Sequence, residues 1–196
     1  MFLRNVSLFS RPLRAAVSQR CMAEEAAADR VRPHRSVLYM PGSNLKAIVK
    51  ARTLPADVII MDLEDAVAPD AKVQARKQIM EALGQGFGDR HVVIRANGLD
   101  TPWGDEDLRT LATAPGIAGI AIPKVEKGET LVAIHKILSG SKAPPSLKLW
   151  GMIETPKGVL RVNEVCEAGT SEAAGRRLSA LVLSISPVAS AFPRGT

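Results

Sequence analysis

The residues in this chain best suited to chemistry are Glu154, Arg95 and three acids in the run Asp62–Asp65. Each stands at the end of a short apolar segment of the kind that forms a buried strand. A carboxylate in such a place can bind a hard divalent cation such as Mg²⁺, and a guanidinium can hold a substrate carboxylate through two parallel hydrogen bonds. These residue types predict a pocket that handles an anion and a metal ion.

Each of these residues also has a structural explanation, and the sequence leaves both open. A carboxylate at position 154 can favour the start of the next helix by interacting with its dipole. The acids at positions 62–65 can form salt bridges with Arg95 or Lys124 instead of serving a ligand. Strict alternation along the strand would send Asp62 and Glu64 to one side of the sheet and Asp65 to the other.

A second candidate group follows the first apolar segment. Tyr39 lies near the end of that segment, and the Pro41–Ser43 turn leads into a helix with Lys46 and Lys50 four residues apart. Backbone N–H groups at a helix start and two nearby ammonium groups can receive a phosphate or a carboxylate. A solvated helix face is the default explanation of such a lysine pair.

Histidines and cysteines add nothing to these candidates. His34, His91 and His135 do not pair by spacing with a nucleophile, and the pattern Gly-x-Ser-x-Gly is absent. Cys21 and Cys166 lack the spacing of metal ligands, as expected of free thiols in a reducing compartment. The sequence therefore assigns no catalytic residue.

Six short apolar segments must position these side chains. They recur roughly every 20–35 residues with helix-like sequence between them, which is typical of successive βα units on a parallel sheet. Ligands meet the carboxyl ends of the strands in such folds, so the candidate residues fall on the functional edge. The segments are Ser36–Pro41, Asp57–Asp62, His91–Asn97, Ile117–Lys124, Lys148–Glu154 and Leu178–Ser184.

Two architectures fit this order of elements, an open doubly wound sheet and a closed (β/α)8 barrel. The chain lacks the Gly-x-Gly-x-x-Gly pattern after the first segment and lacks a P-loop, which favours the barrel. A barrel takes about 250 residues, whereas the portion from Arg35 onward supplies about 160. We therefore predict an α/β fold with about six βα units of a (β/α)8 TIM barrel, incomplete in this chain.

The helices are predicted from apolar spacing and from capping residues. Ser43 or Asn44 is expected to cap the first helix, and Pro69-Asp70 to begin the second. A single helix is expected from Pro156 to Ala168. The residues predicted to face the core are Leu45, Ile48 and Val49 in the first helix and Val73, Ile79, Met80 and Leu83 in the second.

Composition excludes several classes of protein. An apolar fraction of 46% and a charged fraction of 23% are those of a soluble globular protein, and no apolar run reaches the roughly 20 residues needed to cross a bilayer. Aromatic residues make up only 4% of the chain, which argues against a base-stacking surface. Much of the net charge of +6 lies near the start of the chain, so we predict neither nucleic-acid nor membrane binding.

Residues 1–30 form a separate region by composition. Arg4, Arg11, Arg14 and Arg20 lie among Ser and apolar residues, and the first 23 residues contain no acid. These features are typical of an organellar transit peptide. We therefore predict a mitochondrial matrix location, with a plastid or cytoplasmic location as the alternative and a simple disordered tail as the structural explanation.

Five motifs taken in order resemble the HpcH/HpaI aldolase and citrate lyase β-subunit family, which includes mitochondrial citramalyl-CoA lyase-like proteins. Each motif alone has little specificity, but all five occur at consistent intervals over about residues 34–183. They are LYMPGSN (38–44), DLEDAV (62–67), RANG (95–98), PKVE (123–126) and IETPKG (153–158).

This resemblance implies a (β/α)8 TIM barrel of the phosphoenolpyruvate/pyruvate type, with Mg²⁺ as cofactor, and a homo-oligomer that is trimeric in the family. The implied reaction breaks or forms a carbon–carbon bond in an acyl-CoA thioester of a hydroxy acid, such as citramalyl-CoA or malyl-CoA, or in an organic acid. The resemblance also implies roles for individual residues: Arg95 would bind the substrate carboxylate, Glu154 the Mg²⁺, Tyr39, Lys46 and Lys50 the acyl or CoA part, and Asp62 and Glu64 the metal's water shell.

The resemblance stops after the sixth segment. In the family a second metal-binding Asp follows that strand, whereas Pro187 falls at its position here, within a divergent tail over residues 184–196. We therefore expect a C-terminally truncated family member with little or no lyase activity of its own. A non-catalytic isoform, or a fragment that binds CoA or an organic acid, is the alternative.

Overall fold

The computed structural model describes residues 34–184, so the predicted leader at 1–30 and nearly all of the predicted tail at 184–196 lie outside the described residues. Six parallel strands form one sheet and pair in sequence order. All six predicted strands are present, with ends that differ by at most two residues from the prediction. The strands are β1 (Val37–Pro41), β2 (Val58–Asp62), β3 (His91–Arg95), β4 (Gly119–Ile122), β5 (Lys148–Ile153) and β6 (Leu178–Leu183).

The sheet curves strongly around one of its faces. The hydroxyl of Tyr39 on β1 lies 3.6 Å from the sulfur of Met152 on β5, although three strands separate these two. In a flat sheet, four strand spacings would place them ~19 Å apart. The described residues therefore form six consecutive strands of a barrel wall, the first five each followed by a helix, and the predicted (β/α)8-type fold is confirmed.

The two faces of the sheet pack separately, because side chains alternate along each strand. Residues such as Ile59 and Met61 point outward and join the helices in the larger apolar cluster. The inner face has its own smaller cluster, composed of Val58, Ile60, Val93, Ala121, Trp150 and Met152. Apolar residues at nearly every strand position thus bury both faces, as in other parallel sheets.

Helices follow five of the strands. None of the described helices is both long and apolar enough to span a membrane. Short 3₁₀ turns at Pro69–Ala71 and Glu172–Ala174 complete the set. The α-helices are α1 (Leu45–Ala51), α2 (Lys72–Gly84), α3 (Gly104–Leu111), α4 (Gly128–Gly140), α5 (Pro156–Leu160) and α6 (Val162–Thr170).

The first helix buries less than the apolar pattern predicted. Asn44 caps it by accepting a hydrogen bond from the Ala47 N–H at 3.0 Å, as expected of one of the two candidate caps. Ile48 is buried, but Leu45 and Val49 are half exposed, so their predicted inward orientation is wrong. This helix has only two turns and packs on the sheet along one narrow side.

The second helix buries two basic residues that the apolar pattern could not identify. Lys72 and Arg76 lie on the inner side of α2 together with Ile79, whereas Val73, predicted to be inside, is half exposed. The polar ends of both basic side chains find partners inside the protein, so their aliphatic stems can pack on the sheet. The helix also starts three residues later than predicted, after a 3₁₀ turn.

The helical region after β5 is divided, contrary to the single helix predicted from Pro156 to Ala168. Arg161 leaves helical geometry with φ −114° and ψ 16°, and its N–H bonds back three residues to Gly158 O at 3.2 Å. The short α5 therefore ends there, and α6 begins at Val162.

A glycine joins the first two strand ends closely. The Gly42 N–H donates to Asp62 O at 2.7 Å. A Cβ at this position would lie 2.8 Å from that oxygen and 2.7 Å from Ile79 Cδ1, so a larger residue would push the turn away. The close approach fixes the backbone at Asp62, which is one of the predicted site residues.

Candidate active site

Six charged side chains from the carboxyl ends of β2, β3, β4 and β5 meet at one place. Asp62 and Arg95 stand opposite each other in the register of β2 and β3, and Glu154 follows directly after β5. Because parallel strands end at the same edge, these side chains converge as the sequence predicted. We call this group the strand-end cluster; it consists of Asp62, Glu64, Asp65, Arg95, Lys124 and Glu154.

Arg95 lies at the centre of the strand-end cluster and is only 7% exposed. Its Nη2 lies 2.9 Å from Glu154 Oε1 and 2.5 Å from Glu64 Oε2, and its Nη1 lies 3.3 Å from Asp62 Oδ2. Burial works to lower the pKa of Arg95, but the surrounding carboxylates outweigh burial and the pKa is raised. The guanidinium is therefore a permanent positive charge among acids.

One nitrogen of this guanidinium has no partner. Arg95 Nε is buried and forms no hydrogen bond with any described residue. Leaving a buried donor unsatisfied costs free energy, so such donors are few in folded proteins; among the described residues Arg52 Nε, outside the strand-end cluster, is the other one. Arg95 Nε is available to an acceptor that residues 34–184 do not supply.

Lys124 completes the strand-end cluster from the β4 side. Its ammonium pairs with Glu64 and lies 3.4 Å from Asp65 Oδ1, while its backbone N–H donates to Glu154 Oε2 at 3.2 Å. The salt bridges with Arg95 and Lys124 that the sequence left open are thus present. These salt bridges are compatible with a ligand site, because the same contacts bring Glu154 and the acids at 62–65 together.

The acids at 62–65 all point to the same side, contrary to the alternation predicted for them. The strand β2 ends at Asp62, so Glu64 and Asp65 lie in a turn and both reach Arg95. Burial raises the pKa of Glu64 despite its contacts with Lys124 and Arg95. Burial works in the same direction on Asp65, but a hydrogen bond with Glu64 and the positive charges of Lys124 and Arg95 lower its pKa.

Lys72, on α2, fixes the backbone of this acidic turn by hydrogen bonds. Its ammonium donates to Leu63 O at 2.8 Å and to Glu64 O at 2.7 Å, and it lies 5.2 Å from the centre of the Trp103 ring. Burial lowers the pKa of Lys72. This role has no signal in the sequence, because a lysine in the first turn of a helix usually points to solvent.

The buried ion pair of Arg76 and Asp107 stabilises the loop after β3. Asp107 on α3 accepts from Arg76 Nε at 2.6 Å and, through its other oxygen, from the backbone and side-chain nitrogens of Asn97 at 3.0 and 2.7 Å. These bonds fix the loop that follows Arg95. Sequence reasoning noted Asn97 at a strand end but missed Arg76 and Asp107, which come from separate helices.

Two of the five motifs contact each other directly. Glu126, in the motif after β4, accepts from Thr155 Oγ1 at 3.0 Å and pairs with Lys157 Nζ at 3.0 Å, both in the motif after β5. Lys157 and then Thr155 lower the pKa of Glu126. Thr155 also caps α5 by accepting from the Gly158 N–H at 3.1 Å. These contacts hold the backbone immediately after Glu154.

Tyr39 lies on the inner face of the sheet near the strand-end cluster, whereas the lysines of α1 do not contact it. Burial raises the pKa of Tyr39 to about 12, so its phenol stays protonated at neutral pH. Lys46 and Lys50 are exposed on α1, and Asn44 already accepts from the Ala47 N–H at that helix start. Substrate binding by these three residues stays a prediction.

The donors of the strand-end cluster suit a hard divalent cation. Four carboxylates against two cationic side chains leave a formal charge of −2. Mg²⁺ is usually held by one or two carboxylates, with water and substrate oxygens completing its shell. Within residues 34–184, no three acidic, histidine or cysteine side chains are arranged to hold a metal alone. Glu154 as the Mg²⁺ ligand, with Asp62 and Glu64 in support, therefore stays a prediction.

Comparison with known proteins identifies the family. Residues 35–185 match the HpcH/HpaI aldolase/citrate lyase family. Over 163 residues the chain is 42% identical to a (3S)-malyl-CoA thioesterase of Cereibacter sphaeroides, which covers 83% of this chain and 52% of that protein. The chain belongs to the HpcH/HpaI aldolase/citrate lyase family. The resemblance carried by the five motifs is thus confirmed.

Two other known proteins share part of the sequence or the fold. The chain is 37% identical over 143 residues to an L-malyl-CoA/beta-methylmalyl-CoA lyase of Cereibacter sphaeroides, covering 68% of this chain and 44% of that protein. The structure of the protein CitE of Mycobacterium tuberculosis in complex with magnesium, acetoacetate and coenzyme A has a similar fold, with a TM-score of 0.58 and 22% identity over 77% of this chain and 49% of that one. The chain spans about half the length of the curated relatives it matches.

Proposed function

We propose that the strand-end cluster is a Mg²⁺-dependent site that breaks or forms carbon–carbon bonds in CoA thioesters of hydroxy acids. One observation carries the proposal: a buried guanidinium with an unpaired nitrogen lies beside Glu154 in a group of charges that retains a surplus of two negative charges. An anionic substrate and a divalent cation are the two ligands that such a site requires. The names of the relatives supply the class of substrate.

Arg95 is the proposed contact for the free carboxylate of the hydroxy acid. Its fork of donors matches a carboxylate in geometry as well as in charge. The unpaired Nε–H can donate to a ligand oxygen without breaking an existing bond. The ion pairs with Asp62, Glu64 and Glu154 hold the guanidinium at the strand ends before the substrate arrives.

Glu154 is the proposed ligand of the cation, with Asp62 and Glu64 accepting hydrogen bonds from bound water. A divalent cation at this place would supply positive charge beside the thioester oxygen on which negative charge develops. The protonated Tyr39 can donate a hydrogen bond from the opposite side of the curved sheet.

A product assay with (3S)-malyl-CoA and Mg²⁺ tests the proposal with the full chain. Cleavage of the carbon–carbon bond gives acetyl-CoA and glyoxylate, which phenylhydrazine detects, whereas hydrolysis gives malate and a free CoA thiol. We expect cation-dependent binding by calorimetry and, where turnover occurs, glyoxylate formation. Glu154→Gln should abolish the dependence on cation, and the exposed Glu167→Gln is the matched control. Hydrolysis alone, or no cation-dependent binding, would contradict the proposal.

A second candidate is a fragment that binds CoA or an organic acid without catalysis. The match to about half of each relative's length favours a separate test of binding and turnover. Tight, cation-dependent binding of malyl-CoA with neither glyoxylate nor thiol release would support this candidate. The low activity expected from Pro187 stays a prediction, since position 187 lies outside the described residues.

We also propose a mitochondrial matrix location and a homo-oligomer. The arginine-rich, acid-poor composition of residues 1–30 supports the location, and fusion of these residues to a fluorescent protein tests it. Retention of that fusion in the cytosol would argue against it. The trimer implied by the family is tested by light scattering on the eluted protein, where a monomer mass would count against assembly.

A further inference from the structure

Lys124 has an unusual backbone conformation for a residue with a side chain. Its φ is 49°, in the left-handed region that L-residues rarely adopt outside Gly, Asn and Asp. Among the described residues only Lys142 and Arg176 share this feature, and both precede strands, at the other edge of the sheet. Such a conformation persists only where the surroundings fix it.

Contacts with β5 fix the backbone at Lys124. The N–H of Lys124 donates to Glu154 Oε2 at 3.2 Å, and the next N–H, of Val125, donates to Met152 O at 3.0 Å. The left-handed turn therefore aims one amide at the carboxylate proposed to bind the cation. The backbone of Lys124 orients Glu154.

The side chain of Lys124 acts on different acids. Its ammonium pairs with Glu64 and lies 3.4 Å from Asp65, not on Glu154. The Lys124 side chain is 46% exposed and that of Glu64 only 10%, so the ammonium lies on the solvent side of the acids. Without this charge the strand-end cluster would carry −3 instead of −2.

We propose that Lys124 is a positioning residue that keeps Glu64 and Asp65 out of the cation's ligand set and limits the affinity of the site for divalent cations. The inference rests on the proposed function and deepens it. A catalytic cation needs positions open to substrate and water, and additional carboxylates would occupy them. The ammonium of Lys124 pairs with Glu64 and Asp65, while its backbone N–H orients Glu154 by a hydrogen bond.

Three substitutions separate the backbone from the ammonium. Lys124→Gly removes the charge but favours the left-handed turn, Lys124→Ala removes the charge and keeps the strain, and Lys124→Arg keeps both charge and strain. Mn²⁺ binding followed by electron paramagnetic resonance and Mg²⁺ binding followed by calorimetry are the readouts. We expect the Gly and Ala variants to bind the cation about fivefold more tightly or better, because one positive charge near a divalent ion is lost. The Arg variant should bind within about twofold of the unaltered chain.

The outcomes distinguish this inference from the proposed function. Equal or weaker cation binding by both uncharged variants, with normal binding by the unaltered chain, would overturn the role of Lys124 and leave the proposed function standing. Absence of cation binding by the unaltered chain would overturn both. A merely structural Lys124 predicts lower melting temperatures in the Gly and Ala variants with unchanged cation affinity, which also counts against the inference.

Discussion

Two buried arginines lie at opposite ends of the sheet and are held in different ways. Arg95, at the carboxyl end of β3, is surrounded by acids and keeps one nitrogen without a partner. Arg177, directly before β6, is 4% exposed and donates to Pro144 O and Leu147 O at 2.7 Å, to Ala143 O at 3.3 Å and to His135 Nδ1 at 3.2 Å. Every nitrogen of Arg177 has a partner.

The pKa values of the two arginines shift in opposite directions. Burial alone lowers the pKa of Arg177, because neutral carbonyls rather than carboxylates surround it. In Arg95 the carboxylates overcome the same effect of burial. At the amino end of the sheet, Arg177 therefore fixes the loop before β5 through hydrogen bonds to its carbonyls. At the carboxyl end, Arg95 has a positive charge and an unpaired N–H donor that a ligand can use. Substitution of Arg95 should therefore change ligand affinity, whereas substitution of Arg177 should change the free energy of unfolding.

Arg95→Lys should produce the largest effect. Lysine keeps the charge but loses the planar fork, so we expect the affinity for malyl-CoA in the presence of Mg²⁺ to fall by about 100-fold, or about 3 kcal/mol. Isothermal calorimetry measures this change. Arg177→Lys is the matched control and should bind malyl-CoA as the unaltered chain does. Equal losses in both variants would remove the distinction between the two arginines.

Arg177→Ala should have the second largest effect, and on stability. The carbonyls of Ala143, Pro144 and Leu147 would lose buried donors, so we expect the free energy of unfolding to fall by about 2 kcal/mol. Urea unfolding followed by circular dichroism measures it. Mg²⁺ should stabilise the variant and the unaltered chain equally, because the site lies at the other end of the strands, so the difference between them should not change. A difference that shrinks when Mg²⁺ is added would contradict this separation.

The two ends should also differ in how stability depends on pH. Hydrogen bonds from Arg35 lower the pKa of Asp57, at the amino end, to about 2, so its contribution is present above its ordinary value of 3.8 and is lost as pH falls towards 2. Burial raises the pKa of Glu64, so its folded state binds more protons and stability declines as pH rises from 4.5.

Urea unfolding of two variants between pH 2 and 7 checks this difference. Asp57→Asn should flatten the loss of stability on the acid side, and Glu64→Gln should flatten the decline on the alkaline side of 4.5. Both substitutions replace a carboxylate by an amide of the same shape. The same change of slope in both variants would show that the two carboxylates have similar environments.

The sequence predicts the strands and their polar ends well, because both follow from local patterns. Each strand is a run of apolar residues closed by polar ones, so the meeting of Arg95 and Glu154 follows once the strands are parallel and paired in order. Residues beyond a strand end do not obey its alternation. The alternation of the strand therefore predicts the wrong side of the sheet for Asp65.

The supporting residues were not predictable from local patterns. Lys72, Arg76 and Asp107 lie on helices where charged residues usually face solvent, and their burial depends on partners 8–31 positions away. In α2 the apolar pattern correctly predicted Ile79 and Leu83 as buried, but it placed Val73 inside where Lys72 and Arg76 are buried instead. A buried lysine that donates to two carbonyls has the same sequence signature as an exposed one.

The smallest effect is expected at Lys46 and Lys50, which carry a predicted role in binding CoA but no contact with the strand-end cluster. Both are exposed on α1, so the double substitution to Ala should change the free energy of unfolding by less than about 0.5 kcal/mol. If they attract the phosphates of CoA, the affinity for malyl-CoA should fall a few-fold at low salt, and the loss should disappear at high salt, because exposed charges are screened. Calorimetry at two salt concentrations, with the exposed Lys136→Ala as control, decides between the two explanations of this pair. A salt-independent affinity equal to that of the unaltered chain would leave α1 as a solvated helix and confine recognition to the ends of the strands.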